Sequence, residues 1–81
     1  MARISAAKDK ELNLVKLGVA VRARRTALEL SQEALADGAE IDRSHMGKIE
    51  RGERNVTFLN IVRIAMALRC KPSDLLTDAG L

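Results

Sequence analysis

The sequence predicts a small all-α domain, a bundle of five helices, and three observations support this fold class. The hydrophobic residues, 47% of the 81, are nearly all Ala, Leu, Ile and Val. Signals for strands are weak, because β-branched residues rarely alternate with polar ones. Three segments begin with the same helix-start pattern, a polar cap flanked by hydrophobic residues. A chain of this length is expected to form one small domain.

The first helix is predicted over Lys10–Leu28, after a flexible N-terminal arm at residues 1–9. The remaining residues, 10–81, are expected to form the single domain. Two residues, Ser5 and Asp9, are candidate caps for the start of this helix. Its apolar residues recur on one face at helical spacing: Leu14, Leu17, Val21 and Leu28.

Three of the next four helices share one start signal, a polar N-cap inside a hydrophobic staple. Ser31 lies between Leu30 and Leu35, Asp42 between Ile41 and Met46, and Thr57 between Val56 and Ile61. The last helix has a weaker start, since Pro72 suits the first helical position but Lys71 is a poor cap. The predicted helices are Gln32–Asp37, Arg43–Arg51, Phe58–Leu68 and Pro72–Leu76. The fourth helix is apolar nearly all round, which predicts a central position.

The second and third helices are short, and only a brief turn separates them. Their apolar residues can share one small core, which leaves a polar face of the third helix free: Arg43, Ser44, His45, Gly47, Lys48 and Arg51. Such a helix is suited to place its N-terminal side chains against base edges in the major groove. The net charge of +3 fits a nucleic-acid partner, although a modest excess often reflects only a solvated surface.

The stretch SQEALADGAEIDRSHMGKIERGERN resembles the helix-turn-helix of the phage-repressor and Cro-type (XRE) family of transcriptional regulators. Leu30–Ala36 is similar to the second helix of that family, Ile41–Gly52 to its recognition helix and exit, and Ile61–Leu68 to its fourth helix. Within the family, ERNVTFLNI is most like the small controller proteins of restriction–modification operons. The resemblance implies a lambda-repressor-like DNA-binding domain. It also implies sequence-specific binding of a pseudo-palindromic operator as a homodimer.

The resemblance also implies which side chains contact DNA. Arg43 is the expected base reader, because a guanidinium matches the O6 and N7 acceptors of guanine. Gln32 lies at a helix start, where backbone N–H groups favour phosphate. Ser44 and His45 have passive surface roles as alternatives. The full predicted set is Gln32, Arg43, Ser44, His45, Lys48, Arg51, Arg54 and Asn55.

Two acidic residues, Glu50 and Glu53, lie among these basic side chains. One or both are expected to pair with an arginine rather than face phosphate. For Glu50 the expected partner is an arginine of the first helix, such as Arg22.

A homodimer is expected because one recognition helix reads only a few base pairs, whereas two helices about 34 Å apart read a pseudo-palindrome. Family members usually have charged residues where this chain has Leu59 and Met66, which share one helix face. Together with Leu75 and Leu76, they are the predicted dimer interface. The alternative is that these side chains complete the core of the monomer.

Other classes of function are less well supported. The chain has no metal-ligand spacing, no nucleophile–base motif and no phosphate-binding glycine loop, so we expect neither an enzyme nor a cofactor or metal. A single aromatic residue argues against a binder of RNA or single strands. The alternative that stays open is an antitoxin or another protein-binding adaptor of the same fold.

The expected cellular location follows from the hydropathy and the cysteine content of the sequence. No apolar run is long enough to cross a bilayer, and one cysteine, Cys70, cannot form an internal disulfide. We therefore expect a cytoplasmic protein at the nucleoid, of bacterial or phage origin, without a membrane partner. RNA polymerase is a further candidate partner.

Three positions depart from the family pattern, which often has glycine directly after a helix. This chain has Glu29, Glu40 and Arg69 there. A non-glycine residue in the left-handed conformation costs roughly 1 kcal/mol. Either these backbones are strained or the helices end in another geometry. In the second case, Gly38 would take the left-handed position and leave Glu40 extended.

Overall fold

The computed structural model describes residues 4–81, and this part of the chain forms five α-helices and no strand. The all-α prediction is confirmed. A single 3-10 turn, Ala6–Lys8, precedes the bundle. No described helix is long and apolar enough to cross a membrane. The helices are α1 (Asn13–Ala27), α2 (Gln32–Ala39), α3 (Arg43–Glu50), α4 (Phe58–Ala67) and α5 (Pro72–Asp78).

The start of the first helix differs from the prediction, because α1 begins at Asn13 rather than Lys10. Leu12 has a left-handed backbone with φ 59°, which a right-handed helix cannot continue through. Asp9 caps the helix instead, since its carboxylate accepts a hydrogen bond from the backbone N–H of Leu14 at 2.8 Å. The C-terminal ends of the helices lie within one or two residues of their predicted positions.

The expected N-terminal arm, residues 1–9, lies only partly within the described residues, which begin at Ile4. The backbone carbonyl of Ile4 accepts a hydrogen bond of 2.9 Å from the side chain of Asn55. Ile4 is therefore bonded to the loop that follows α3.

The three predicted N-caps are all formed. Side-chain oxygens of Ser31, Asp42 and Thr57 accept hydrogen bonds from backbone N–H groups two or three residues further on, at 2.9–3.3 Å. Lys71 has no acceptor for this role, and α5 is fixed differently. There the carboxylate of Asp74 accepts a hydrogen bond from the backbone N–H of Lys71 at 2.9 Å.

The core lies between the helices and is entirely aliphatic apart from a methionine sulfur. Its largest fully buried side chains are Val21, Leu35, Met46, Ile49, Ile64 and Leu75. Leu75 is only 1% exposed, so its assignment to a dimer interface is wrong: the side chain fills the core of the monomer. The prediction that α4 is central is also only half correct. One of its faces is buried, while Leu59 and Met66 on the other are 66% and 71% exposed.

Helices α1 and α3 approach each other backbone to backbone. A Cβ atom added at Gly18 would lie 2.7 Å from the carbonyl oxygen of Ile49 and closer still to that of Glu50. Just after α3, Gly52 has φ 73°, and a Cβ there would lie 2.7 Å from the Cα atom of Val15. Because only glycine fits at both points, the C-terminal end of α3 is held at a fixed distance from α1.

The three residues that replace glycine after helices are all left-handed. Glu29 and Glu40 have φ 57°, and Arg69 has φ 59°. Gly38 lies inside α2, so it does not take the left-handed position in the turn. The interpretation with strained backbones is therefore confirmed, and the extended conformation considered for Glu40 is wrong.

Hydrogen bonds compensate this strain in the same way at all three corners. The residue that follows each corner, Leu30, Ile41 or Cys70, donates its backbone N–H to the carbonyl five residues earlier, at 2.9–3.1 Å. This is the Schellman arrangement for closing a helix C-terminus. Ile41 belongs to the hydrophobic core and Cys70 packs against it, so at these two corners burial and hydrogen bonding together hold the unfavourable backbone.

We predict that Glu40→Gly raises the free energy of unfolding by up to about 1 kcal/mol, because glycine adopts the left-handed conformation without steric cost. Urea denaturation and thermal melting would measure the change. Asp37→Gly is the matched control: it removes an acidic residue inside α2 and should destabilise the domain. Operator choice should be the same in Glu40→Gly as in the parent. A lower melting temperature for Glu40→Gly would contradict the prediction.

Candidate nucleic-acid interface

The predicted recognition helix, α3, is buried on one face and open on the other. Met46, Ile49 and Glu50 are buried, whereas Arg43 and Ser44 are exposed at its first turn. Asp42 caps this turn, and hydrogen bonds from the Ser44 side chain and then from backbone N–H groups lower the pKa of its carboxyl. The N-terminal end of α3 is thus fixed in place while its polar side chains face outward.

Behind this helix lies a buried ion pair between Arg25 of α1 and Glu50 of α3. Two parallel hydrogen bonds join them, from Nε to Oε2 at 2.8 Å and from Nη2 to Oε1 at 3.1 Å. Their side chains are only 12% and 3% exposed. The remaining nitrogen of Arg25 donates to the carbonyl of Leu30 at 2.9 Å. The pair therefore joins α1, α3 and the corner before α2.

The expected ion pair of Glu50 is confirmed, but its named partner, Arg22, is wrong. Arg22 is exposed on α1, while Arg25, three residues further on, lies in the last turn and faces the end of α3. Residues three or four positions apart on a helix are neighbours on its surface. Spacing alone therefore does not decide whether Arg22 or Arg25 pairs with Glu50. Packing of α1 against α3 makes the choice.

Gln32 extends the same network to α2. Its Nε2 donates a hydrogen bond to Oε1 of Glu50 at 3.2 Å. One amide hydrogen of this predicted phosphate-binding residue is therefore used inside the protein. The contact also fixes which way the amide points, since the nitrogen lies towards Glu50.

The second acidic residue, Glu53, pairs with Arg51, so both carboxylates have an arginine partner. The contacts run from Nε to Oε2 at 2.7 Å and from Nη2 to Oε1 at 3.3 Å. The hydrogen bonds to Arg51 lower the pKa of Glu53, and those to Glu53 raise that of Arg51. More than half of each side chain is exposed, so the pair adds little to stability. Its effect is to orient the guanidinium.

The predicted DNA-binding residues gather around two open clefts along α3. One cleft is lined by Gln32, Arg43, Ser44, Lys48 and Arg51, with Asp42 and Gly47 between them. The other is lined by His45, Arg54 and Asn55, together with residues of the N-terminal segment. No sequence signal pointed to that segment, because the bond from Asn55 to Ile4 joins residues 51 positions apart.

Comparison with known proteins shows which family has this fold and this arrangement of helices. A family model described as helix-turn-helix matches residues 21–75, which include all of α2, α3 and α4. The chain belongs to the helix-turn-helix family. The prediction of that family from the sequence is confirmed.

Relatives of this helix-turn-helix protein include control proteins. It is 43% identical over 61 residues to the control protein C.SmaI of Serratia marcescens, covering 75% of this chain and 73% of that one. It is 43% identical over 53 residues to the control protein C.BamHI of Bacillus amyloliquefaciens, covering 65% of each chain. These relatives confirm the prediction of a DNA-binding transcriptional regulator and do not favour the antitoxin alternative.

A solved structure shares the fold of the helix-turn-helix protein. The restriction-modification controller protein C.AhdI from Aeromonas hydrophila is 50% identical and aligns with a TM-score of 0.75. The alignment covers 76% of this chain and 94% of that chain. The likeness to restriction–modification controllers, seen first in ERNVTFLNI, is thereby confirmed.

We predict that Arg25→Ala lowers the free energy of unfolding by about 3–5 kcal/mol, because it leaves the carboxylate of Glu50 buried without its charged partner. The double variant Arg25→Met, Glu50→Leu should lose much less than the sum of its two single substitutions, since neither charge is then buried alone. Urea denaturation measures these differences.

Arg22→Ala is the matched control for this prediction, because it removes an exposed arginine from the same helix. Its effect should stay within about 0.5 kcal/mol. Equal losses for Arg22→Ala and Arg25→Ala, or simple additivity in the double variant, would show that the ion pair does not hold the helices together.

Proposed function

We propose that this protein controls transcription by binding a pseudo-palindromic operator as a homodimer, with one α3 of each protomer in the major groove. The observation that carries the proposal is the exposed first turn of α3, which the buried pair of Arg25 and Glu50 holds rigidly against the other helices. The names of its relatives support a role as the controller of a restriction–modification operon.

The proposed contacts follow from the position and chemistry of each side chain. Arg43 is the first residue of α3 and is exposed, so we assign it to a guanine edge. Ser44 follows it and can bond either a base or a phosphate. Backbone phosphates are assigned to the residues at the sides and end of the helix: Gln32, His45, Lys48, Arg51, Arg54 and Asn55.

The proposed dimer interface is the open face of α4 and the adjoining part of α5. Leu59 and Met66 are largely exposed, and Leu76 is 37% exposed. Phe58 and Leu81, at 71% and 53%, add to the exposed apolar surface of the same two regions. Exposed apolar patches mark interaction sites in soluble proteins, and we propose that these side chains form one. A domain of this size also has a marginal core, which a second subunit would stabilise.

The proposed mode of action, cellular location and further partner all follow from binding to DNA. The protein acts by occupying its operator and needs neither a catalytic step nor a cofactor. Its place of action is the nucleoid in the cytoplasm of a bacterium. If it activates transcription, RNA polymerase is its second macromolecular partner.

We predict that the protein selects its operator from a pool of genomic fragments and binds it more tightly than a random duplex. Affinity should fall steeply between two salt concentrations, because basic side chains displace counterions from phosphates. Arg43→Ala should weaken operator binding by about 1–3 kcal/mol and relax the choice of base at one position of each half-site. Fluorescence anisotropy with operator and scrambled duplexes measures both effects.

Arg24→Ala is the control for charge, since Arg24 pairs with Asp78 of α5 and lies off the recognition helix. It should keep the preference for the operator. Absence of any DNA affinity at low salt would rule out the regulator and leave the protein-binding adaptor.

We predict that the double variant Met66→Glu, Leu76→Glu is monomeric and binds operator weakly, because charges on an apolar interface resist burial. Analytical ultracentrifugation measures its mass. Val19→Glu is the control, since Val19 is a 61% exposed apolar residue on α1, outside the proposed interface. A double variant that sediments as an unchanged dimer would disprove this interface.

A further inference from the structure

The middle of the recognition helix carries a glycine, although alanine is the more favourable residue inside a helix. Gly47 is buried, and its nearest side chains are Gln32 of α2 and Arg51, the residue that follows α3. A Cβ atom at this position would lie 3.2 Å from Nη1 of Arg51 and 3.2 Å from Oε1 of Gln32. Two of the residues assigned to DNA contact therefore both lie over the bare backbone of α3.

The side chain of Gln32 is held in this place by the buried carboxylate of Glu50. Its nitrogen donates to Oε1 of Glu50 at 3.2 Å, and Glu50 is itself fixed by the two hydrogen bonds from Arg25. Since the amide nitrogen is bound on the inside, the amide oxygen is the atom that lies against Gly47. The orientation of this side chain is thus set by the buried ion pair.

The guanidinium of Arg51 is held in place by a second carboxylate, that of Glu53. Glu53 occupies Nε and Nη2 of the guanidinium, which leaves Nη1 as the nitrogen that lies over Gly47. A hydrogen-bond donor and a hydrogen-bond acceptor are therefore placed side by side on the floor of the cleft that Arg43 and Lys48 also line. This cleft has a volume of about 480 Å³ and opens to the exterior.

We propose that Gly47 is a positioning residue for operator recognition: the missing side chain lets Gln32 and Arg51 lie over the centre of α3 in the arrangement that DNA meets. The inference rests on the proposed function. A methyl group at this position would push both polar tips aside, since 3.2 Å is closer than most carbon contacts and both neighbours are the ends of flexible side chains. The fold would tolerate that displacement of a few tenths of an ångström, but the two groups would leave their prearranged positions.

The experiment compares Gly47→Ala with Gly38→Ala. Both glycines lie inside helices of the helix-turn-helix, so both substitutions gain helix propensity. At Gly38 the new Cβ would meet only the Cβ of Ala67, at an ordinary 3.5 Å. We expect both variants to melt no lower than the parent. Gly38→Ala should keep full operator affinity, whereas Gly47→Ala should lose about tenfold in affinity for the operator over scrambled duplex.

A second arm separates positioning from simple obstruction by the methyl group. In the background Gln32→Ala, Arg51→Ala, measured at low salt so that binding stays detectable, Gly47→Ala should cause no further loss of affinity. A loss as large as in the parent background would mean that the methyl group blocks DNA directly. That result, or a Gly47→Ala protein that binds like Gly38→Ala, would overturn the inference.

Operator binding by the parent protein and by Arg43→Ala separates this inference from the proposed function. If the parent shows no preference for the operator over scrambled duplex, the proposed function itself fails. If Arg43→Ala weakens binding and Gly47→Ala does not, only the role of Gly47 fails.

Discussion

The buried ion pair between Arg25 and Glu50 is the interaction on which the rest of the structure depends. Two charges out of contact with water are tolerable only when each satisfies the other, and here four hydrogen bonds around Glu50 and Arg25 do so. These bonds fix α1, the start of α2 and the end of α3 in one arrangement. The close approach at Gly18 limits the distance between α1 and the end of α3 sterically. Hydrogen bonding and contact distance therefore define a single position for α3.

Much of this architecture could be predicted from the sequence, because its determinants are local. The caps at Ser31, Asp42 and Thr57 each depend on a few neighbouring residues, and all three are formed. The left-handed backbone of Glu40 was one of two conformations that the sequence left open. The Schellman bond from Ile41 decided between them, and it depends on where the third helix packs.

What could not be predicted depends on packing between distant segments. Arg22 and Arg25 are equivalent in spacing, and only the placement of α1 on α3 makes Arg25 the partner of Glu50. Leu75 looked like part of an apolar surface, but α5 turns it inward. The candidate site shows the same division. Its residue types and helix were predictable, whereas the inward hydrogen bond of Gln32 was not.

In the ion pair between Arg51 and Glu53, the carboxylate is a counterion that is covalently part of the protein. In the proposed complex, a phosphate would bind Arg51 through Nη1, the nitrogen that Glu53 leaves free, and the carboxylate would stay in place as a tethered counterion that cannot diffuse away. Arg51 would then neutralise less phosphate charge than a free arginine, so the salt dependence of binding would count fewer phosphate contacts than the protein makes. The carboxylate would also lie beside the DNA backbone and repel it, so Glu53 would lower the contribution of Arg51 to DNA affinity.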